Sequence, residues 1–212
     1  MEQFDVLDCA GVKTGGLIDR DKAHTTGAWH GAFHCQIAYP RDGRVMTLFQ
    51  LRSRAKKIAS GKYDVSVGGH YSAGEGPETA GPREIEEELG LRVSYASIVP
   101  LGKRVFVCCF APGVREFEFQ DIFLLPLDGP PHEVVLQRSE VDAVLEMDVE
   151  QGVRFFQGDI AALDCALTRS DGGRERVTVR SDEFVRCHDR YYLKLLQLVR
   201  RYYGGDRRGL AI

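Results

Sequence analysis

The chain has 212 residues, of which 43% are hydrophobic, and its formal net charge is -3. This size favours one domain spanning residues 1–212, and the small charge gives no overall field for binding nucleic acid or an anionic membrane. No apolar run reaches the ~20 residues of a membrane span, and the first residues lack the order of a signal peptide. The six cysteines form no CxxC pair, so we expect reduced thiols and a cytoplasmic protein.

Alternating apolar and polar residues predict strands in the first part of the chain, at residues 4–8, 32–39, 45–51 and 63–67. Asp42 and Gly43 predict a tight turn that joins the second and third of these strands into a hairpin. Gly11, Gly15 and Gly16 are interpreted as turn residues.

Two further apolar runs, 105–110 and 121–127, flank Pro112 and Gly113 and predict another pair of strands. Apolar residues then recur at three- and four-residue steps from Phe184 to Tyr202. This spacing predicts an amphipathic C-terminal helix at about 181–203, whose stripe is typical of core packing and would also permit a homodimer.

Three carboxylates are predicted to share one face of a helix, because Glu84, Glu87 and Glu88 stand at positions i, i+3 and i+4. Each like-charge pair at this spacing costs about 0.2–0.5 kcal/mol, and a divalent cation reverses the sign of that interaction. Carboxylate oxygens suit Mg²⁺ or Mn²⁺, which commonly link proteins to substrate phosphates. Glu86 lies on the opposite side and is interpreted as a solvated acid.

These acids belong to a longer pattern, G-x5-E-x7-R-E-U-x-E-E-x-G-U with U a bulky aliphatic residue, which residues 69–91 match at every fixed position. The pattern resembles the box of the Nudix hydrolase superfamily. The resemblance implies an α/β/α sandwich with a mixed β-sheet, to which this chain adds the C-terminal helix. It also implies hydrolysis of a small-molecule diphosphate, commonly a nucleoside diphosphate linked to another moiety.

By position, the resemblance assigns metal binding to Glu84, Glu87, Glu88 and the Gly69 carbonyl. Catalytic candidates are Glu87, Glu88 and, outside the box, Glu118, while Glu75, Arg83 and Gly90 would be structural. The Gly81-Pro82 pair departs from the usual pattern of good helix formers. A helix start with Thr79 as N-cap avoids placing Pro82 in the helix interior.

Outside the box the chain resembles the branch near isopentenyl-diphosphate isomerase, in Arg20 to Phe33, Arg52 to Lys57, Asp64 to His70 and Glu116 to Phe119. His24, His30, His70, Glu116 and Glu118 resemble the metal-site residues of that isomerase. The isomerase needs a cysteine where this chain has Gly68, so this chain lacks the thiol that the isomerase mechanism requires. Arg20, Arg52 and Lys56 are candidate substrate contacts, because arginine and lysine side chains match phosphate oxygens, and His70 is a further candidate.

The sequence therefore predicts a Mg²⁺-dependent hydrolase that cleaves a diphosphate linkage by attack of water on phosphorus. Two alternatives stay open. One is an isomerase-like enzyme, and the other is a non-catalytic nucleotide-binding module.

Overall fold

The fold is described from a computed structural model that covers residues 2–132 and 134–212. Its strands are β1 (Gln3–Leu7), β2 (Lys13–Asp19), β3 (His30–Arg41), β4 (Arg44–Arg52), β5 (Tyr63–Asp64), β6 (Val67–His70), β7 (Val99–Ala111), β8 (Val114–Pro126), β9 (Val141–Asp148), β10 (Ala162–Arg169) and β11 (Arg174–Arg180). Its α-helices are α1 (Arg20–Thr26), α2 (Pro77–Leu89), α3 (Val149–Gln157) and α4 (Tyr191–Tyr203). Within the described ranges no helix is both long and apolar enough to cross a bilayer.

The large sheet runs in the order β11-β10-β9-β4-β3-β8-β7, with β5 added to β4 and β6 added to β3. Strands β3 and β8 are parallel, and the other pairs are antiparallel, which confirms the predicted mixed sheet. The predicted hairpins are present as β3–β4 and β7–β8. Asp42 and Gly43 both have positive φ, 51° and 73°, as a tight two-residue hairpin turn requires.

Helices cover both faces of this sheet. On one face, Ile85 and Leu89 of α2 pack with Phe33 and Ile37 of β3 in a buried cluster. On the other, side chains of α3 and α4 pack over β4 and β9. The architecture is the predicted α/β/α sandwich. Along β3 the odd-numbered residues from Phe33 to Tyr39 enter the α2 side, which leaves the even-numbered ones for the opposite face.

Helices α3 and α4 approach each other closely at Gly152. A Cβ atom there would lie 2.6 Å from Leu196 Cδ1 and 2.7 Å from Met147 Sδ, so no larger residue fits without rearrangement. Tyr203, at the end of α4, donates a hydrogen bond from its hydroxyl to the Ala38 carbonyl at 2.6 Å. The C-terminal helix is therefore fixed to the central sheet.

The box helix begins earlier than the Thr79 N-cap predicts. Gly76 is the N-cap, and Pro77 occupies the first turn, where proline is favoured because its fixed φ suits a helix start. Pro82 consequently lies inside the helix and leaves the Glu78 carbonyl without its usual N–H partner. Glu78 is exposed, so water can replace that hydrogen bond.

Two other predictions are wrong in detail. The C-terminal helix begins only at Tyr191, because residues 184–185 run beside β5, with the Val185 amide donating to the Tyr63 carbonyl at 2.8 Å. Phe184 is nevertheless buried, which explains its apolar character. Gly15 and Gly16 lie within β2 rather than at a turn, opposite an irregularity in β1.

Candidate active site

Most of the residues singled out in the sequence line one cavity of about 550 Å³. The box contributes Gly69, Arg83, Glu84, Glu87 and Glu88 to its wall, and the other predicted members are Arg20, Arg52, Lys56, His70 and Glu118. Glu75 and Gly90 do not line it. Gly90 caps α2 with a φ of 71°, a left-handed conformation that favours glycine.

Arg83 connects the acids of the box. Its guanidinium contacts Glu75 at 2.8 Å, Glu84 at 2.9 Å and Glu87 at 3.1 Å. Burial would raise the pKa of Glu75, but the hydrogen bonds from Arg83 and the Ser72 amide outweigh it and lower that pKa. Glu75 and Arg83 thus tie the loop before α2 to the helix.

Glu84 and Glu88 are buried carboxylates. Burial raises the pKa of Glu84 to about 7 and that of Glu88 to about 8. One oxygen of Glu88, Oε2, accepts hydrogen bonds from Gln50 Nε2 at 3.1 Å and from the Gly68 amide at 3.2 Å. A further positive charge nearby would favour the ionised form of both acids.

The Glu84 carboxyl group lies directly against the backbone of Gly69. A Cβ atom on Gly69 would be 2.1 Å from Glu84 Cδ, so the acid occupies the space that any other residue would fill. The Gly69 backbone and the Glu84 carboxylate are therefore close enough to bind the same metal ion. This packing fits a cation site at the box.

A second set of ligand-type side chains converges in the same cavity. Among the described residues, two groups have ligand atoms within 4.8 Å of one another, and these are His24–His30–His70 and His70–Glu116–Glu118. The box glutamates are not among them. Three imidazoles with two carboxylates form a donor set that suits a divalent transition metal such as Mn²⁺ or Zn²⁺.

The hydrogen bonds around this histidine–glutamate cluster leave ring nitrogens available. His30 Nδ1 lies 2.9 Å from the Ala28 carbonyl, which fixes the tautomer with the proton on Nδ1 and a lone pair on Nε2. Within the described part of the chain, Nε2 of His30 and Nε2 of His24 are buried without a hydrogen-bond partner. Orphaned buried nitrogens of this kind fit a metal ion.

Burial also keeps His24 and His70 neutral, as metal ligands must be. It lowers the pKa of His24 to about 4 and that of His70 to about 3. His70 Nε2 lies 3.0 Å from Glu118 Oε1. For Glu118, burial alone would raise the pKa, but its contacts with His30, whose Nε2 lies 3.7 Å away, and with His70 lower it, whereas burial raises the pKa of Glu116.

Behind Glu118 lies a buried hydrogen-bond chain that the sequence did not indicate. Gln120 Nε2 donates to Glu118 Oε2 at 2.6 Å, and Arg104 Nη1 donates to Gln120 Oε1 at 2.7 Å. Arg104 is held in turn by two bonds to Asp189, at 2.8 and 2.9 Å. The only available signal was the alternation of polar residues at 116, 118 and 120 on a strand.

The cationic side chains on the cavity wall already have acidic partners. Arg20 pairs with Glu2 at 2.8 Å, Lys56 pairs with Glu140, and Arg52 lies 3.6 Å from Asp64. Nε of Arg52 is buried and has no partner among residues 2–132 and 134–212. The structure thus brings these three cations to the cavity, but in a partly neutralised form.

The sequence model of the NUDIX domain family matches residues 30–162, which is more than half of the chain. The chain belongs to the NUDIX family. The Nudix box and most of the sandwich fall within the match, whereas α4 lies outside it.

Relatives within the Nudix family carry two kinds of name. Nudix hydrolase 3 of Arabidopsis thaliana is 35% identical over 158 residues, which are 73% of this chain but 20% of that protein, so the chain spans only about a fifth of its length. An isopentenyl-diphosphate Delta-isomerase of Kocuria rhizophila is 30% identical over 140 residues, 66% of this chain and 75% of the isomerase.

A solved structure of a MutT/nudix family protein from Enterococcus faecalis superposes with a TM-score of 0.52 at 12% identity. The match covers 85% of this chain and 64% of that one. At this identity the likeness shows the fold alone.

Proposed function

We propose that this Nudix protein is a Mg²⁺-dependent hydrolase that cleaves a diphosphate linkage in a small molecule. The observation that carries the proposal is one cavity that joins an intact Nudix box to cationic side chains and to the histidine–glutamate cluster. Acids on one side and cations on the other suit a metal-bound polyanion. Nucleoside diphosphates linked to another moiety and related diphosphates are the proposed substrates.

In this proposal Glu84, Glu87, Glu88 and the Gly69 carbonyl hold Mg²⁺, and the histidine–glutamate cluster holds Mn²⁺ or a similar ion. A bound divalent cation supplies charge neutralisation at phosphate oxygens and lowers the pKa of water. Burial of Glu84 and Glu88 supports their role, because Arg83 offsets part of the negative charge of Glu84 and a bound cation would offset the rest.

The side chains of the wall have separate tasks in the proposed reaction. Arg20, Arg52 and Lys56 bind phosphate oxygens in exchange for their present acidic partners. A carboxylate accepts a proton as water attacks phosphorus, and the bond from that phosphorus to the bridging oxygen breaks with a phosphate as the leaving group. Glu87, Glu88 and Glu118 are the candidate bases. The hydrogen bonds to Glu88 Oε2 hold that side chain in place and leave its other oxygen for water.

Activity should be tested by phosphate or nucleotide release on a panel of diphosphate compounds, with and without Mg²⁺. Glu87→Gln and Glu88→Gln are each expected to lower kcat at least about a hundredfold, as for loss of a general base. Glu86→Gln is the matched control, because Glu86 is on the same helix but pairs outward with Arg92 at 2.7 Å. Full activity in both of the first two variants would refute these roles.

Isomerisation of isopentenyl diphosphate is the second candidate function. The histidine–glutamate cluster and the isomerase among the relatives favour it, whereas Gly68 supplies no thiol at the position where the resembled enzymes need one. Incubation with isopentenyl diphosphate, followed by NMR detection of the dimethylallyl isomer, distinguishes the two functions. We expect no conversion, and rapid conversion would reverse the ranking.

A further inference from the structure

His34 faces the cavity at the point where Gly68 leaves space. It is paired with Gly68 across the β3–β6 ladder, and both residues line the cavity. A Cβ atom on Gly68 would lie 3.4 Å from Cδ2 and 3.5 Å from Nε2 of the His34 ring. The imidazole edge therefore stands where the side chain of residue 68 would begin, beside the position of the missing thiol.

Tyr191 determines which nitrogen of His34 carries the proton. The Tyr191 hydroxyl lies 3.2 Å from His34 Nδ1, and Tyr191 is fully buried. A buried hydroxyl needs an acceptor for its proton, and in the described part of the chain Nδ1 is its partner. The Tyr191 hydroxyl therefore donates to Nδ1, and the proton of the neutral ring lies on Nε2.

Nε2–H of His34 has no protein acceptor among the described residues, although the ring lines the cavity. The charged groups that act on the ring are Glu118, Arg104 and the pair Asp64 and Arg52, whose charges lie 3.6 Å apart and offset each other. Arg104 packs its guanidinium 4.1 Å from the ring centre of Tyr191, and Asp189 neutralises its charge. Phe106 adds an aromatic ring 4.7 Å from the same guanidinium.

This end of the cavity thus combines the aromatic ring of Phe106, the Arg104–Asp189 ion pair and an unused neutral donor. Such a surface complements an uncharged polar group that stacks and accepts a hydrogen bond, rather than a phosphate. A hydrocarbon chain there would leave the His34 donor without an acceptor, and an unpaired donor in a closed site lowers the affinity for that ligand.

We propose that His34 is a specificity-determining residue, whose Nε2–H donates a hydrogen bond to the organic group linked to the diphosphate. The inference rests on the proposed hydrolase function and narrows its substrate class. It assigns nucleoside- or sugar-linked diphosphates to this cavity and disfavours prenyl diphosphates.

The test compares kcat/KM for ADP-ribose, UDP-glucose and geranyl diphosphate in four proteins. These are the wild type, His34→Leu, His34→Gln and His34→Asn. Glutamine places an amide nitrogen near the position of Nε2, whereas asparagine reaches only the position of Nδ1. Thermal unfolding of each variant shows whether it is folded.

We expect the wild type to prefer a nucleotide-linked compound over geranyl diphosphate, and His34→Leu to lose this preference by roughly tenfold or more, chiefly through KM. His34→Gln should restore much of it and His34→Asn should not, a pattern that a purely structural role would not produce. An unchanged preference in His34→Leu, or a wild type that prefers geranyl diphosphate, would overturn the inference and leave the hydrolase intact. Absence of Mg²⁺-dependent hydrolysis of all three compounds would instead refute the proposed function, and the inference with it.

Discussion

Replacing Gly69 by alanine tests the geometry of the box most directly. The new Cβ atom would lie 2.1 Å from Glu84 Cδ, whereas carbon atoms in contact are about 3.5–4.0 Å apart. The Glu84 carboxylate must therefore retreat by more than about 1 Å. A displacement of that size at a reacting centre costs about a hundredfold in rate, and metal ligands tolerate only about 0.2 Å.

We therefore expect Gly69→Ala to lower kcat/KM at least about a hundredfold. The free energy of unfolding should change by less than about 1 kcal/mol, because only the flexible end of Glu84 is displaced. Steady-state kinetics at several Mg²⁺ concentrations and urea denaturation measure the two effects.

Gly68→Ala provides a matched control, because its Cβ atom would make ordinary contact with His34 at 3.4 Å. We expect this variant to keep most of its activity. Equal activity in Gly69→Ala and the wild type would show that Glu84 does not need its present position, and the proposed metal site would be wrong.

Three other variants test the packing and the hydrogen bonds. Pro82→Ala should raise the free energy of unfolding by about 1–2 kcal/mol in urea denaturation. Alanine restores an N–H that can donate to the Glu78 carbonyl, and this gain is partly offset because alanine gives the unfolded chain more conformational entropy than proline does. Gly152→Val should lower the melting temperature by overpacking the contact between α3 and α4, at a cost of about 1–3 kcal/mol, and an unchanged value would contradict the close approach. Gln120→Leu should weaken Mn²⁺ binding about 10- to 100-fold in a metal titration, because it removes the hydrogen bond that orients Glu118, and unaltered affinity would argue against that role.

The sequence predicted the fold well where local patterns match long-range packing. Alternation in β3 and β4 and the Asp42–Gly43 turn determine a hairpin without reference to the rest of the chain. The apolar stripe predicted too early a start for the C-terminal helix, because Phe184 is buried in an extended segment beside β5. Apolar spacing over only two or three residues does not distinguish a helix from an extended segment. The prediction for Pro82 failed because the start favoured by Pro77 outweighs one missing hydrogen bond in an exposed turn.

The candidate site was predictable only in part. The box acids lie within one short segment, so their spacing on a helix brings them to one face. The histidine–glutamate cluster draws on α1, β3, β6 and β8, and only the resemblance to a known branch pointed to it. Neither the box pattern nor the resemblance to that branch pointed to Arg104, Asp189 or Tyr191 as residues of the site. Their contacts join distant parts of the chain and leave no local pattern in the sequence.

Strand β3 has a consequence for how related chains can vary in length. Ala32 and His34 line the cavity, while Phe33 and Ile37 fill the core on the opposite face. Insertion or deletion of one residue within β3 would exchange the two faces of the strand beyond that point. Side chains that line the cavity would then point into the hydrophobic core, and core side chains would point into the cavity. Length changes should therefore accumulate at exposed turns, such as the one between β10 and β11, and be absent from this strand.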